Sequence, residues 1–544
     1  MQVRDMKQKS VGIHDFAMNP RADVMRSSFP VRQGKKVAFS ASYLVPIYCE
    51  EVLPGDTFNI TCDTVARTAV PIVPVLDNWH MEFFAFFTPN RLVWTNWMKM
   101  LGAQDNPADS IAFTVPVSTS AVGGYGIGGI HDYFGLPTAG QITAGLTYNH
   151  QTLPLRMYNK IYNEWFRDQN LQNSLPNNTG NGPDNPGDYV LTKRGKRHDY
   201  FTACLPWPQK GTAVTLPLGT TAPITSTGLA IALDNSTFNR TGTGINLTSG
   251  TNVPTWSNST AVPSSVANFG VAGATVQALQ ANLSGAAGPT VNLFRQYFQT
   301  QKFMERQARG GTRYTELIQS HFGVRPPDYR LDRPEYIGGG KIPILTNAIP
   351  QTSATGLTGG TTPAGNLAAT GYANGRVGFN YSSQEHGYII MLANVRADLT
   401  YQQGLRRHWS RQTIYDFYFP VFAMLGEQTV LNREIYSDGS AADNTTFGYI
   451  PRWDEYRHFP TEIAGIFRST AAGTIDYWHS SQRFTTLPSL NTTFITDDTN
   501  TVLQRNFAAG AATQGQQFLC DFMFTGRVAR PLPMNSVPGM IDHF

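Results

Sequence analysis

Cysteine is scarce in this chain. There are four in 544 residues, Cys49, Cys62, Cys204 and Cys520, and no two form a CxxC pair. That spacing excludes a disulfide framework and makes a reducing compartment the simplest setting. Charge is thin as well: Asp, Glu, Lys and Arg make up 15% of the residues, against about a quarter in ordinary globular chains. With 42 basic and 38 acidic side chains the formal charge is +4, too little for a dedicated nucleic-acid-neutralising protein, so any basic patch must be local. Long apolar runs are missing, and the opening MQVRDMKQKS has no apolar core of a signal peptide. The expectation is a soluble protein made in a cytoplasm, with no membrane insertion.

Catalytic and cofactor motifs are missing too. Gly124, Gly126 and Gly129 spell G-x-G-x-x-G, but Pro116 and Ser118-Thr119-Ser120 interrupt the strand that a dinucleotide site needs before it, and Pro137 closes any helix after it. Three Gly-Lys pairs lack the following Ser or Thr of a phosphate-binding loop, and neither HExxH nor GxSxG occurs. The carboxylate pairs Glu50-Glu51 and Asp497-Asp498 are adjacent, which in a strand sends them to opposite faces. Nothing here assigns catalysis, a cofactor or a metal.

What the chain does have is β texture at both ends. Residues 1–36 are basic and weakly patterned, which suggests an extended arm. From Val37 to about residue 88, short apolar runs alternate with turns, and NWHMEFFAFF becomes apolar on both faces, as in a strand buried between two layers. Strand texture returns from about 386 to 528, in HGYIIMLANVRADLTY, IYDFYFPVF and QFLCDFMFTGRV. In the last of these Phe518, Cys520, Phe522 and Phe524 share a face. Early strands that need late partners imply one sheet core closed late in the chain. Helices are expected after Thr152, where Leu155, Tyr158, Ile161, Tyr162 and Trp165 recur at helical spacing, and over about 291–307. The loop at 352–375, rich in Gly and Thr, reads as surface.

Residues 211–290 stand apart. They hold 15 Thr and 8 Ser, with Asp234 and Arg240 as the sole charges. Apolar anchors including Phe238, Trp256 and Phe269 favour an ordered, outward-facing β-rich lobe over a flexible linker. Three basic clusters also occur: Lys193, Arg194, Lys196, Arg197 and His198; Arg306, Arg309 and Arg313; and Arg406, Arg407, His408 and Arg411 around Trp409. The bland reading of each is a solvated face or an ion pair. The sharper reading is contact with single-stranded nucleic acid, in which Lys and Arg follow phosphates and Trp409 stacks on a base.

Several strings are more specific. LPLRMYNKIYNEWFRDQNL (153–171), RGGTRYTELIQSHFGV (309–324), PDYRLDRPEYIGGG (327–340) and the opening HDFAMNP (14–20) resemble the signature blocks of gokushovirus-type microvirus (Microviridae) major capsid proteins. The resemblance covers most of the chain and is weakest over 211–290. It implies a mainly β fold, a single viral jelly roll of eight antiparallel strands with long inserted loops and a few helices. It also implies a bacteriophage virion: a small icosahedral shell assembled in a bacterial host cytoplasm around circular single-stranded DNA. By position, 211–290 would be the family's variable insertion, a three-fold protrusion exposed for a host surface receptor, with Phe238, Trp256 and Phe269 as candidate contacts.

The arm and the terminus at 527–544 would drape over neighbouring copies, and low charge density limits the desolvation cost of such interfaces. Sixty copies would carry about +240, against roughly 1,600 phosphates in a genome that merely encodes this chain. A small basic packaging protein or abundant cations would then share the interior. The alternative function is a carbohydrate-binding or carbohydrate-active β-sandwich, suggested by the abundant Tyr, Trp and Asn.

Overall fold

Side chains that alternate between apolar and polar make strands with one face to bury, and eight such segments join one antiparallel sheet in this computed structural model. The structure describes residues 25–215, 224–226, 232–233, 269–270, 279–281, 290–350, 352, 367–508 and 516–535. The eight strands are β1 (Ser27–Phe39), β2 (Val45–Val52), β3 (Thr57–Thr68), β4 (Trp79–Pro89), β5 (Glu335–Pro350), β6 (Leu367–Ser382), β7 (Gly387–Ala397) and β8 (Phe518–Arg530). Their order across the sheet is β1-β8-β3-β6-β5-β4-β7-β2. First pairs with last, second with seventh, third with sixth and fourth with fifth. This is a long ribbon of hairpins wrapped on itself, and the wrapping adds the contacts of β8 with β3, β6 with β5 and β4 with β7. The halves β1-β8-β3-β6 and β5-β4-β7-β2 form the two layers of a jelly roll.

The expected pairing of early with late strands is therefore present. Phe518, Cys520, Phe522 and Phe524 are all buried, as their period-two pattern requires. They meet Phe39, Phe58, Phe83 and Phe87 in the barrel core. Phe83 and Phe522 pack edge to face at 6.0 Å, and Tyr48 lies 4.7 Å from Phe524. The outer face of β4 and β7 carries a second cluster, where Phe86, Ile390 and Leu392 are covered by Leu155, Tyr158 and Ile161 of helix α1 (Leu153–Ile161). That second layer accounts for the apolar character of both faces of β4.

Three local expectations change. Residues 27–36, read as part of the arm, lie in β1, paired along its length with β8. Its charges read as an arm because β1 ends the sheet order, where charged side chains are tolerated. Residues 1–24 lie outside the described residues. The string IYDFYFPVF is no strand: it forms two 3-10 turns, Ile414–Asp416 and Pro420–Phe422. Pro420 removes a ladder donor there, and the Asp416 carboxylate accepts from the Gln412 and Thr413 amides.

Residues 367–375 of the expected surface loop belong to β6, and β5 was not anticipated. Both strands are rich in Gly, which reads as loop but here permits close approach. A methyl group at Gly339 would lie 2.1 Å from the Phe83 carbonyl oxygen, and one at Gly378 would lie 2.7 Å from that of Ile60. The helix α3 (Tyr314–Phe322) was also not anticipated.

The chain divides into two compact units, Gln209–Arg306 and the remainder. The smaller unit contains two short ladders, Ile224–Ser226 with Leu279–Ala281 and Ala232–Leu233 with Phe269–Gly270. The expected helix near 291–307 is α2 (Val291–Gly310).

Candidate nucleic-acid and assembly surfaces

The first basic cluster is built around one carboxylate. Residues 193–197 run beside residues 42–43 and 495–496, with the Arg194 amide donating to the Ser42 carbonyl at 2.9 Å and the Lys196 amide to the Ile495 carbonyl at 2.8 Å. This extended path brings Arg194 and Arg197 to Glu82 on β4, where Arg396 of β7 joins them. Arg197 donates to Glu82 at 2.8 Å and lies 2.6 Å from Asp398, and Arg396 reaches Glu82 at 3.2 Å. Burial pushes the Glu82 carboxyl up, but Arg194 and Arg396 beside it and the hydrogen bonds from Arg194 and Arg197 outweigh that and hold it at about 2.

Lys196 is buried, donates to Gln482 Oε1 at 2.7 Å and lies 4.2 Å from the Phe494 ring centre; desolvation lowers its ammonium to about 8. Lys193 donates to Asn500 at 2.9 Å and sits over the Tyr43 ring. Much of this run therefore holds the chain against the barrel.

Beside that clasp lies a cavity of about 820 Å3. Three of the four strings that carry the family resemblance converge there. Trp165, Phe166 and Arg167 come from the first, Arg309 and Arg313 from the second, and Tyr336 from the third. Phe84 and Phe86 of β4 add to an aromatic floor. Arg313 donates to the Arg167 carbonyl at 2.7 Å and pairs with Glu316 at 3.1 Å, while Arg309 pairs with Glu427. Among the described residues, the buried Nε atoms of Arg167, Arg313 and Arg396 have no hydrogen-bond partner. Burial and the neighbouring Arg313 lower the Arg167 guanidinium. Several cations above aromatic rings can take an anion and a flat ring together.

The third cluster is arranged differently. Trp409 is 72% exposed, against the His408 ring at 4.9 Å. Its arginines are engaged: Arg406 with Glu462 at 2.5 Å, Arg407 with Glu434 at 3.1 Å, and Arg411 with Glu455 at 3.4 Å. Arg411 also covers the Tyr456 ring at 4.6 Å. These residues line a cavity of about 770 Å3.

Of the lobe candidates, Phe238 and Trp256 lie outside the described residues, and Phe269 is placed as the backbone start of a two-residue ladder. Among the described residues there is no group of three or more His, Cys, Asp or Glu fit to hold a metal, and no helix is long and apolar enough to cross a membrane.

Sequence reasoning missed two features. One is the buried pair of Arg156 and Asp184, joined by two hydrogen bonds of 2.7 Å, with Arg156 also donating to the Val93 and Gly180 carbonyls. An arginine on the apolar side of α1 was its available signal. The other is the outward placement of 414–425, for which the proline inside an aromatic run was the signal.

The chain matches the family model described as capsid protein (F protein) over residues 17–540. It is 43% identical over 536 residues to the capsid protein VP1 of Bdellovibrio phage phiMH2K, covering 98% of each chain. It is 39% identical to the capsid protein VP1 of Chlamydia phage 1, covering 98% of this chain and 99% of that one. To the capsid protein VP1 of Spiroplasma virus 4 it is 34% identical, covering 99% of each.

Proposed function

Since the chain belongs to the capsid protein (F protein) family, we propose that sixty copies of it close into a small icosahedral shell around circular single-stranded DNA. Family membership makes it a structural virion protein and not an enzyme, so the carbohydrate-active alternative falls away. The observation that carries the shell reading is the pairing of first strand with last and second with seventh, which makes a rigid barrel from which long excursions can reach neighbours. Assembly takes place in the bacterial host cytoplasm. A small basic protein or cations complete the neutralisation of the DNA, because a chain of formal charge +4 leaves most phosphates uncompensated.

DNA contact belongs at the cavity bordered by Arg167, Arg194, Arg197, Arg309 and Arg313. Buried guanidinium nitrogens there lack partners and aromatic rings lie beneath them. Arg406, Arg407 and Arg411 beside Trp409 are the second candidates; at both sites most of the arginines hold a carboxylate, and among the described residues the buried Arg411 Nε also lacks a partner. Residues 211–290, within the unit Gln209–Arg306, are the part offered to a host receptor, in keeping with their low charge.

Imaging and ultraviolet cross-linking of purified particles test these readings together. Isometric particles with nuclease-protected DNA, and nucleotide adducts on peptides spanning 163–171 or 307–316, are expected. A solitary chain free of DNA would overturn the shell. Adducts confined to 406–411 would move the DNA site to Trp409. Deletion of 211–290 should abolish adsorption and leave particles intact.

A further inference from the structure

The segment from Gln412 to Gly426 has the composition of a core and the position of a surface. Asp416 is its single charged residue, and Ile414, Tyr415, Phe417, Val421, Met424 and Leu425 are all exposed, Val421 by 88% and Met424 by 97%. An aromatic side chain covers about 150–250 Å2, and two half-bare rings with four largely bare aliphatic side chains together present on the order of 800 Å2 of mainly apolar surface. A lone soluble protein rarely leaves a patch of that size uncovered.

The segment is held in shape. The Asp416 carboxylate accepts from the Thr413 amide at 2.8 Å and the Gln412 amide at 3.1 Å, which fixes the first turn. The Trp453 indole donates to the Phe422 carbonyl at 2.9 Å and packs edge to face on Tyr418 at 5.5 Å. Trp453 itself has φ of +69°, a conformation that bulky residues avoid. Arg452 donates to the Tyr415 carbonyl at 3.3 Å. A backbone this well tied down presents its apolar side chains outward as a preformed surface.

We propose that this ledge is a contact surface for a second copy of the same chain, a reading that rests on the shell function and gives it a location. About 800 Å2 is one partner's share of a standard protein interface. The ledge has no Lys or Arg between Gln412 and Gly426, which is the wrong chemistry for DNA. Its one carboxylate is already satisfied locally, so covering the ledge strands no ion. The aromatic run that reads as buried is then buried after all, by a neighbour.

The test places Val421→Asp and Met424→Asp, separately and together, in the full chain produced from the viral genome. Both side chains are nearly bare, so the circular dichroism and melting temperature of the unassembled chain should stay unchanged. The double variant should lower particle yield on a sucrose gradient at least tenfold. Particle yield within twofold of the unsubstituted chain overturns the ledge alone and leaves the shell standing. A photo-cross-linker at position 421 should give covalent dimers of this chain in particles, whereas adducts to a different virion protein overturn the proposed occupant. An unsubstituted chain that forms neither particles nor dimers overturns the shell and the ledge together.

Discussion

The barrel and the excursion between β7 and β8, residues 398–517, solve the same problem in opposite ways. In the barrel, Phe518, Phe522 and Phe524 point inward, and charged residues such as Lys36 and Asp521 pair at the surface. In the excursion, Gln402, Glu434, His479 and Asp497 are buried, while Val421, Met424 and Phe459 stand in the open. A strand ladder satisfies the backbone by itself, so its inward side chains are free to be apolar. Among its described residues the excursion has one short ladder, Glu427–Leu431 with Thr446–Pro451, and is otherwise mostly 3-10 turns and single helical turns, so polar side chains satisfy much of its backbone instead. Gln402 receives the Ser469 amide at 2.8 Å and donates to the Ser469 hydroxyl at 2.9 Å. Gln403 receives the Phe484 amide at 2.6 Å and donates to the Phe484 carbonyl at 2.9 Å. Val430, Ile435, Phe447, Ile450 and Phe494 still join a small apolar cluster, but with polar groups holding so much of the inside, Val421, Met424 and Phe459 are left for contacts beyond the chain.

The contrast can be broken most directly in the barrel. Phe522→Ala removes a fully buried ring opposite Phe83 and should cost about 3–5 kcal/mol, read as a fall in the urea midpoint of the unassembled chain; a loss near 1 kcal/mol would show that the two layers are not held by this core.

Acid separates the regions next. The Glu82 carboxyl is held at about 2, below the ordinary glutamate range. Its stabilisation is therefore present above the ordinary glutamate value and is lost as pH falls toward 2. The Glu434 carboxyl is raised, by burial that outweighs Arg407 and its hydrogen bonds, so acid relieves it. Hydrogen exchange at pH 6 and pH 3 should show β4 and β7 losing protection relative to residues 430–435, and Glu82→Gln should remove the difference; equal loss in both regions would contradict it. The smallest effect is expected from Gln402→Ala, about 1–2 kcal/mol from two lost buried hydrogen bonds. It should loosen residues 399–405 and 465–470 in the same exchange experiment without altering the strands.

How much was legible in the residues differs along the same line. β8 announces itself because alternation is local, β4 and β7 as short apolar runs bounded by turns, and α1 because its apolar residues recur at helical spacing. β5 and β6 were hidden because Gly339 and Gly378 are there for what crosses them, namely the Phe83 and Ile60 carbonyls. The string 414–422 misled in a different way: its composition signals burial without saying by what.

Among the basic residues, sequence proximity grouped Lys193, Arg194, Lys196 and Arg197 as one patch. Folding scattered them among Asn500, Glu82, Gln482 and Asp398, partners as far as 307 positions away.

Composition and short-range pattern by themselves determined the β class, the helix after Thr152 and the family strings, because each depends on residues a few positions apart. Which cations are clasped and which keep a free nitrogen, and which aromatic residues face inward, was decided by the tertiary structure alone. Ion pairing and burial depend on what distant segments bring to within a few ångströms, and neither composition nor periodicity carries that distance.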